Sequence, residues 1–130
     1  ILFPEMSLTG YTREKASRYA MMRDDPRLEK LRNMAMEYQM IIIAGAPVRL
    51  GREMYIGSFI FLHDGSESIY LKKFLHAGEE KYYMSSLESD PVIEFQNESL
   101  SIIPSHANFV FFHSGRNISA LNKEMRDQGI

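Results

Sequence analysis

The reactive groups of this chain are hydroxyls, imidazoles, carboxylates and amines, because its 130 residues include no cysteine. That absence removes disulfides, Cys-ligated zinc and any thiol nucleophile. Two neighbouring pairs, Ser105-His106 and His113-Ser114, set a nucleophile type beside a base type. Adjacent residues on a strand point to opposite faces, so neither pair forms a dyad by itself. The four histidines show no paired spacing on one helix face, so no metal and no other cofactor is expected. Glu5, Lys72 and Glu79 remain. Glu5 follows Phe3-Pro4 at a strand end, Lys72 stands beside Lys73, and Glu79 beside Glu80 in a loop. Singly, each also reads as solvated surface charge; they become chemistry only where the fold brings them together.

The elements that could do so are legible from periodicity and punctuation. Residues 1–3 read as a strand stub ending in Pro4-Glu5, and 7–12 as a loop around Gly10. Thr12 can cap a short helix whose inner stripe is Ala16, Tyr19 and Ala20. Asp24-Asp25-Pro26 is a strong helix start, with Asp25 as cap and Pro26 in the first helical position. Leu28, Leu31, Met34, Ala35 and Tyr38 then recur at helical spacing. The apolar run 40–48, with three consecutive isoleucines, reads as a strand buried on both faces. Strands at 54–63 and 68–75 flank Asp64-Gly65, a tight-hairpin signal. A second hairpin is expected from 91–95 and 99–103, then a strand at 107–112 and a last helix at 118–128 before Gly129. The order calls for a mixed sheet with helices on one face. That solution leaves the other sheet face apolar, to be covered by further sequence or a second subunit, so a homo-oligomer is expected.

Composition limits the functional classes. This length suits one domain, 1–130, with roughly two thirds of its unfolded surface buried. A net charge of −2 gives no basic face for nucleic acid. No apolar run approaches a membrane span, and nothing at the start reads as a secretion signal, so a cytoplasmic protein is expected. Residues 1–3 already read as the end of a strand, so the chain looks like part of something longer. The nine methionines read as fillers of core and interface gaps.

Phe3-Pro4-Glu5 followed by Ser7-Leu8-Thr9-Gly10-Tyr11 resembles the nitrilase superfamily of carbon–nitrogen hydrolases, in which a strand ends in Phe-Pro-Glu before a Thr-Gly-Tyr loop. Tyr70-Leu71-Lys72, with Leu75 and Gly78-Glu79-Glu80, is similar to that family's Tyr-x-Lys-x-His-Leu segment and trailing Gly-Glu. The helices, strands and hairpin between the motifs keep the family's order, as does Pro91-Val92-Ile93-Glu94-Phe95, so the resemblance covers 1–102. It implies Glu5 as general base, Lys72 as the oxyanion-holding lysine and Glu79 as a supporting carboxylate. Amide cleavage needs such a base and such a cation. It also implies a Cys nucleophile after the 99–103 region, which the chain lacks. Phe74 stands where the family often has His, and Ile56-Gly57 where an Asn often follows the Tyr. The strand and helix that normally precede Phe3 are not in the sequence.

From 103 to 130 the resemblance changes. Pro104-Ser105 with Asn108-Phe109, then Gly115 and the final helix, is similar to the C-terminal domain of histidinol-phosphate-type aminotransferases. That stretch brings no pyridoxal phosphate site. A join near 102–103 is therefore expected, with one strand–helix unit replacing another. Together these readings predict an α/β fold: a mixed sheet with helices on one face, a partial nitrilase-like α-β-β-α sandwich completed by a C-terminal strand–helix unit. The expected function is that of a carbon–nitrogen hydrolase fragment without its nucleophile, an inactive chimeric or engineered scaffold. The alternative is an active amide or nitrile hydrolase using a hydroxyl such as Ser105, or a nucleophile from a partner or another segment.

Overall fold

The computed structural model describes residues 1–11 and 13–87, together with the backbone of 92–95, 98–103 and 111–113. Its first sheet is built from β1 (Ile42–Leu50), β2 (Glu53–Phe61) and β3 (Glu67–Leu71), antiparallel and in that order. β1 and β2 pair from Ile42↔Phe61 to Leu50↔Glu53. Gly51, at φ +61°, lies in the intervening turn. The Asp64-Gly65 hairpin forms as expected. Gly65 takes φ +83°, and the Asp64 carboxylate accepts from both the Ser66 N–H and its hydroxyl. β3 is shorter than the sequence suggests. It ends at Leu71 rather than 75, although the Lys72 N–H still donates to the Ile56 carbonyl at 2.8 Å.

The outer edge of β1 is occupied twice. Leu2 makes a parallel bridge to Ile43 and Met21 a parallel bridge to Val48, so the sheet is mixed. The chain between those bridges leaves the edge as a loop and carries the 3-10 turn Arg13–Lys15 and the short α1 (Ala16–Tyr19).

The main helix begins where the sequence says it must. The Asp25 side chain accepts from the Arg27 N–H, Pro26 opens a 3-10 turn, and α2 (Glu29–Glu37) continues it. The Arg27 side chain holds the Asp25 carboxyl below the usual carboxylate range. A carboxyl lowered in the folded state stabilises fully above its unfolded value and loses that contribution as pH falls through the folded one. Asp25→Ala is therefore expected to lower stability by about 1 kcal/mol at neutral pH, and by less in strong acid, in urea melts.

The far end of α2 corrects one expectation. Tyr38, counted in the inner stripe, is 58% exposed. The helix stops at Glu37, and Gln39 enters the left-handed region at φ +49°. The Met40 N–H then returns to the Ala35 carbonyl and the Gln39 N–H to that of Met36. This double return is a Schellman ending, with Gln where glycine is commoner.

The core lies on both faces of the sheet. On one face Ile42, Ala46, Val48, Phe59, Phe61 and Leu71 pack with Met21, Leu28 and Ala35. On the other, Ile43, Ile60 and Tyr70 form a second cluster. These three are 5%, 0% and 6% exposed, so that face is not bare at its centre, contrary to the sequence expectation. A third cluster joins Met6, Ala16, Ile56 and Tyr83.

β4 (Val92–Phe95), β5 (Glu98–Ile103) and β6 (Phe111–His113) form a second antiparallel sheet. Val92 pairs with Ser101 and Ile103 with Phe111, so the expected second hairpin is present. The Thr12 cap, residues 107–110 of the expected strand, the Ser105-His106 pair, Ser114, and the last helix with Gly129 lie outside the described residues. Among the described residues no helix is long and apolar enough to cross a membrane.

Candidate active site

Lys72 is fixed by backbone before its side chain does anything. Its N–H is held by the Ile56 carbonyl, and its own carbonyl receives the Ser86 N–H at 3.1 Å. Strand alternation puts Lys72 on the same face as Tyr70, opposite α2. The side chain is 2% exposed, and its ammonium lies between two carboxylates. The Glu5 Oε2 atom is 3.3 Å from Nζ and the Glu79 Oε2 atom 3.1 Å. Glu5 and Glu79 are themselves buried. The structure thus brings all three candidate residues together, across 67 residues of sequence in the case of Glu5 and Lys72.

Glu5 is delivered by a tight turn. The Ser7 N–H donates to the Pro4 carbonyl, while those of Thr9 and Gly10 both donate to Met6. Met6 holds φ +59°, a left-handed conformation unusual for a side chain of its size. The turn rests on Gly45 of β1. A Cβ there would come within 2.7 Å of the Met6 N, 2.8 Å of the Pro4 O and 2.9 Å of the Glu5 Cα. Glu79 is placed by the loop after β3, where its Oε2 accepts the His76 N–H at 2.9 Å.

The segment after Gly10 touches both carboxylates. The Tyr11 hydroxyl donates to Glu5 Oε1 at 3.0 Å. The Arg13 guanidinium stands 3.8 Å from Glu79 Oε1. Burial, and then the Glu5 charge, raise the Tyr11 hydroxyl above the ordinary phenol value, so it stays a donor. Tyr11, Arg13, Glu14 and Lys15 line a cleft of about 410 Å³ next to these contacts. Formal charges balance, with Glu5 and Glu79 against Lys72 and Arg13.

Reading the sequence alone did not single out Arg13, Gly45 or Tyr83. Gly45 had a signal, a glycine inside a buried apolar strand, which often marks close backbone approach. Arg13 had none, since it stands in the opening of a short helix, outside the inner stripe of Ala16, Tyr19 and Ala20. No group of three or more His, Cys, Asp or Glu side chains that could hold a metal occurs among the described residues.

A buried ammonium between two carboxylates can hold a developing oxyanion, and a carboxylate can take a proton from an attacking group. That is the chemistry of hydrolases acting on carbon–nitrogen bonds. The chain matches the carbon–nitrogen hydrolase family over residues 1–102 and belongs to it. Solved structures share the fold. XC1258 from Xanthomonas campestris, a CN-hydrolase superfamily protein with an arsenic adduct in its active site, aligns with a TM-score of 0.69 at 19% identity. That alignment covers 77% of this chain and 38% of XC1258. An N-terminal amidase bound to an Asn-Glu-Ala peptide gives 0.64 at 24% identity, over 78% of this chain and 29% of that one. NitN amidase from Neterenkonia sp. AN1 gives 0.61 at 23%, over 77% and 41%. The chain therefore spans less than half the length of each. No curated protein matches it.

Proposed function

We propose that this chain is a nitrilase-like carbon–nitrogen hydrolase unit that carries the proton-handling and oxyanion-holding half of an amide-cleaving site but not the nucleophile. The observation that carries this reading is the buried Lys72 ammonium, 3.3 Å from Glu5 and 3.1 Å from Glu79. Glu5 is the general base, Lys72 the oxyanion partner and Glu79 the carboxylate that fixes the lysine. Without cysteine the chain has no thiolate to form an acyl intermediate. By itself it is then an inactive scaffold. The change of resemblance near 102–103 supports a chimeric origin, with an aminotransferase-like stretch where the nucleophile's strand belongs.

The second reading keeps the same site but has it completed by a hydroxyl, a partner chain or another segment. Retention of the whole buried charge set favours it, because a site released from function gains nothing by keeping an ion triad dry. One assay separates the two. The chain is incubated with small ω-amides, nitriles and carbamoyl compounds, and ammonia is followed. No release above the uncatalysed rate is expected. Turnover that disappears in Glu5→Gln would overturn the inactive reading and establish the second.

Oligomerisation is also proposed. Scattered exposed side chains such as Met22, Met36 and Tyr38 are available to an interface. Light scattering is expected to give at least a dimer, and a monomer at high concentration would contradict it.

A further inference from the structure

One buried polar group close to the site takes no part in the charge set. Tyr83 is 3% exposed, and its side chain is buried with Met6, Ala16 and Ile56. Its hydroxyl has no hydrogen-bond partner among the described residues. Buried hydroxyls are nearly always paired, because losing water without gaining a partner is unfavourable. Phenylalanine would fill the same apolar space without that penalty, so packing does not account for the oxygen.

Its neighbours tie Tyr83 to the site from three directions. Met6 directly follows Glu5 in the chain. The Ile56 carbonyl holds the backbone N–H of Lys72. The Tyr83 N–H donates to the Glu79 carbonyl at 2.9 Å. The carboxylates are meanwhile supplied with other donors. Tyr11 and Lys72 serve Glu5, and Lys72 and the His76 N–H serve Glu79. Burial, followed by the Glu79 charge, pushes the Tyr83 hydroxyl up to about 12, with Arg13 opposing and Glu5 adding to the rise. The group is therefore a neutral phenol at any ordinary pH.

We propose that the Tyr83 hydroxyl is a binding donor of the Glu5–Lys72–Glu79 site, held for the carbonyl oxygen of a small uncharged primary amide. The inference rests on the reading of this site as one that takes amides, and it adds a residue and a ligand charge to it. The balance of charge argues for neutrality. Two carboxylates face one ammonium and one guanidinium, so a charged ligand would leave an unpaired charge in a dry place. A primary amide suits what is offered. Its N–H groups have carboxylate oxygens to meet, and its carbonyl has the Tyr83 phenol, which feels the charges of Glu79, Arg13 and Glu5. Among the described residues the donor is unpaired, and the ligand completes it.

The experiment uses the full chain and propionamide as the probe, with propionate as the charged counterpart. Three proteins are compared by NMR titration and by thermal melting: the unaltered chain, Tyr83→Phe and Glu5→Gln. Tyrosine labelled with 13C at Cζ reports on the phenol directly. Propionamide is expected to bind and to move the Tyr83 Cζ resonance, and propionate to do neither. Tyr83→Phe is expected to melt no lower than the unaltered chain and to bind propionamide roughly tenfold more weakly, the loss of one hydrogen bond. A melting point several degrees lower would mean the hydroxyl is already paired, which overturns the inference. So would unchanged affinity in Tyr83→Phe alongside weakened affinity in Glu5→Gln, and in that case the amide reading of the site survives. Absence of propionamide binding to the unaltered chain overturns the amide reading and the Tyr83 role with it.

Discussion

Lys72→Met is expected to lower stability by about 3–5 kcal/mol, the usual result of deleting one partner of a buried charge set. The substitution nearly conserves volume and removes only the ammonium. What remains is Glu5 and Glu79, both buried, with the shared cation gone. Two like charges in a dry place repel, and the partly exposed Arg13 guanidinium, 3.8 Å from Glu79, offsets them only in part. Urea denaturation at neutral pH gives the size of the loss. A second variant decides its origin. Glu5→Gln/Lys72→Met/Glu79→Gln removes every charge of the set and is expected to recover most of the stability, because a neutral core of similar shape tolerates what an unpaired charge does not. If the triple variant is as unstable as the single one, packing of the lysine stem, and not its charge, holds the site.

The second large effect is expected from Gly45→Val. Even one added carbon would meet three backbone atoms of Pro4, Glu5 and Met6 at 2.7–2.9 Å, and none of these can swing aside as a side-chain tip could. The turn must lift off β1. Its hydrogen bond from the Leu8 N–H to the Gly45 carbonyl, 3.0 Å long, goes with it. Overpacking of this kind costs about 1–3 kcal/mol, and β-branching adds bulk at the point of contact. The distinguishing result is local. Amide exchange is expected to accelerate in residues 5–10 and to stay slow in β2. Uniform acceleration across the sheet would show that Gly45 serves the strand and not the turn.

These two residues also show what could be read from the amino-acid order and what could not. Asp25-Pro26, the triple isoleucine and Asp64-Gly65 act through their immediate neighbours, so backbone preference and periodicity reveal them directly. Glu5, Lys72 and Glu79 were reached through resemblance, since nothing local distinguishes a buried lysine from its neighbour Lys73. Their meeting depends on the return of residues 1–11 to β1, a contact between distant parts of the chain. Tyr38 failed for a related reason. Helical spacing continued through it, but the helix reversed at Gln39, and period alone carries no information about where a helix stops. Tyr83 was invisible because an unpaired hydroxyl is a property of surroundings, not of order.

The two bridges on the outer edge of β1 have a consequence for how such a protein could diversify. Leu2 and Met21 clip the intervening stretch to one rigid strand at both ends. That stretch carries Glu5, Tyr11 and Arg13, so what can be exchanged while the clips, the Gly45 seat and the charge set persist is the pair of rim residues Glu14 and Lys15. Changes of polarity at these two positions would alter the cleft next to an unaltered charge set, so selectivity could evolve at the rim alone.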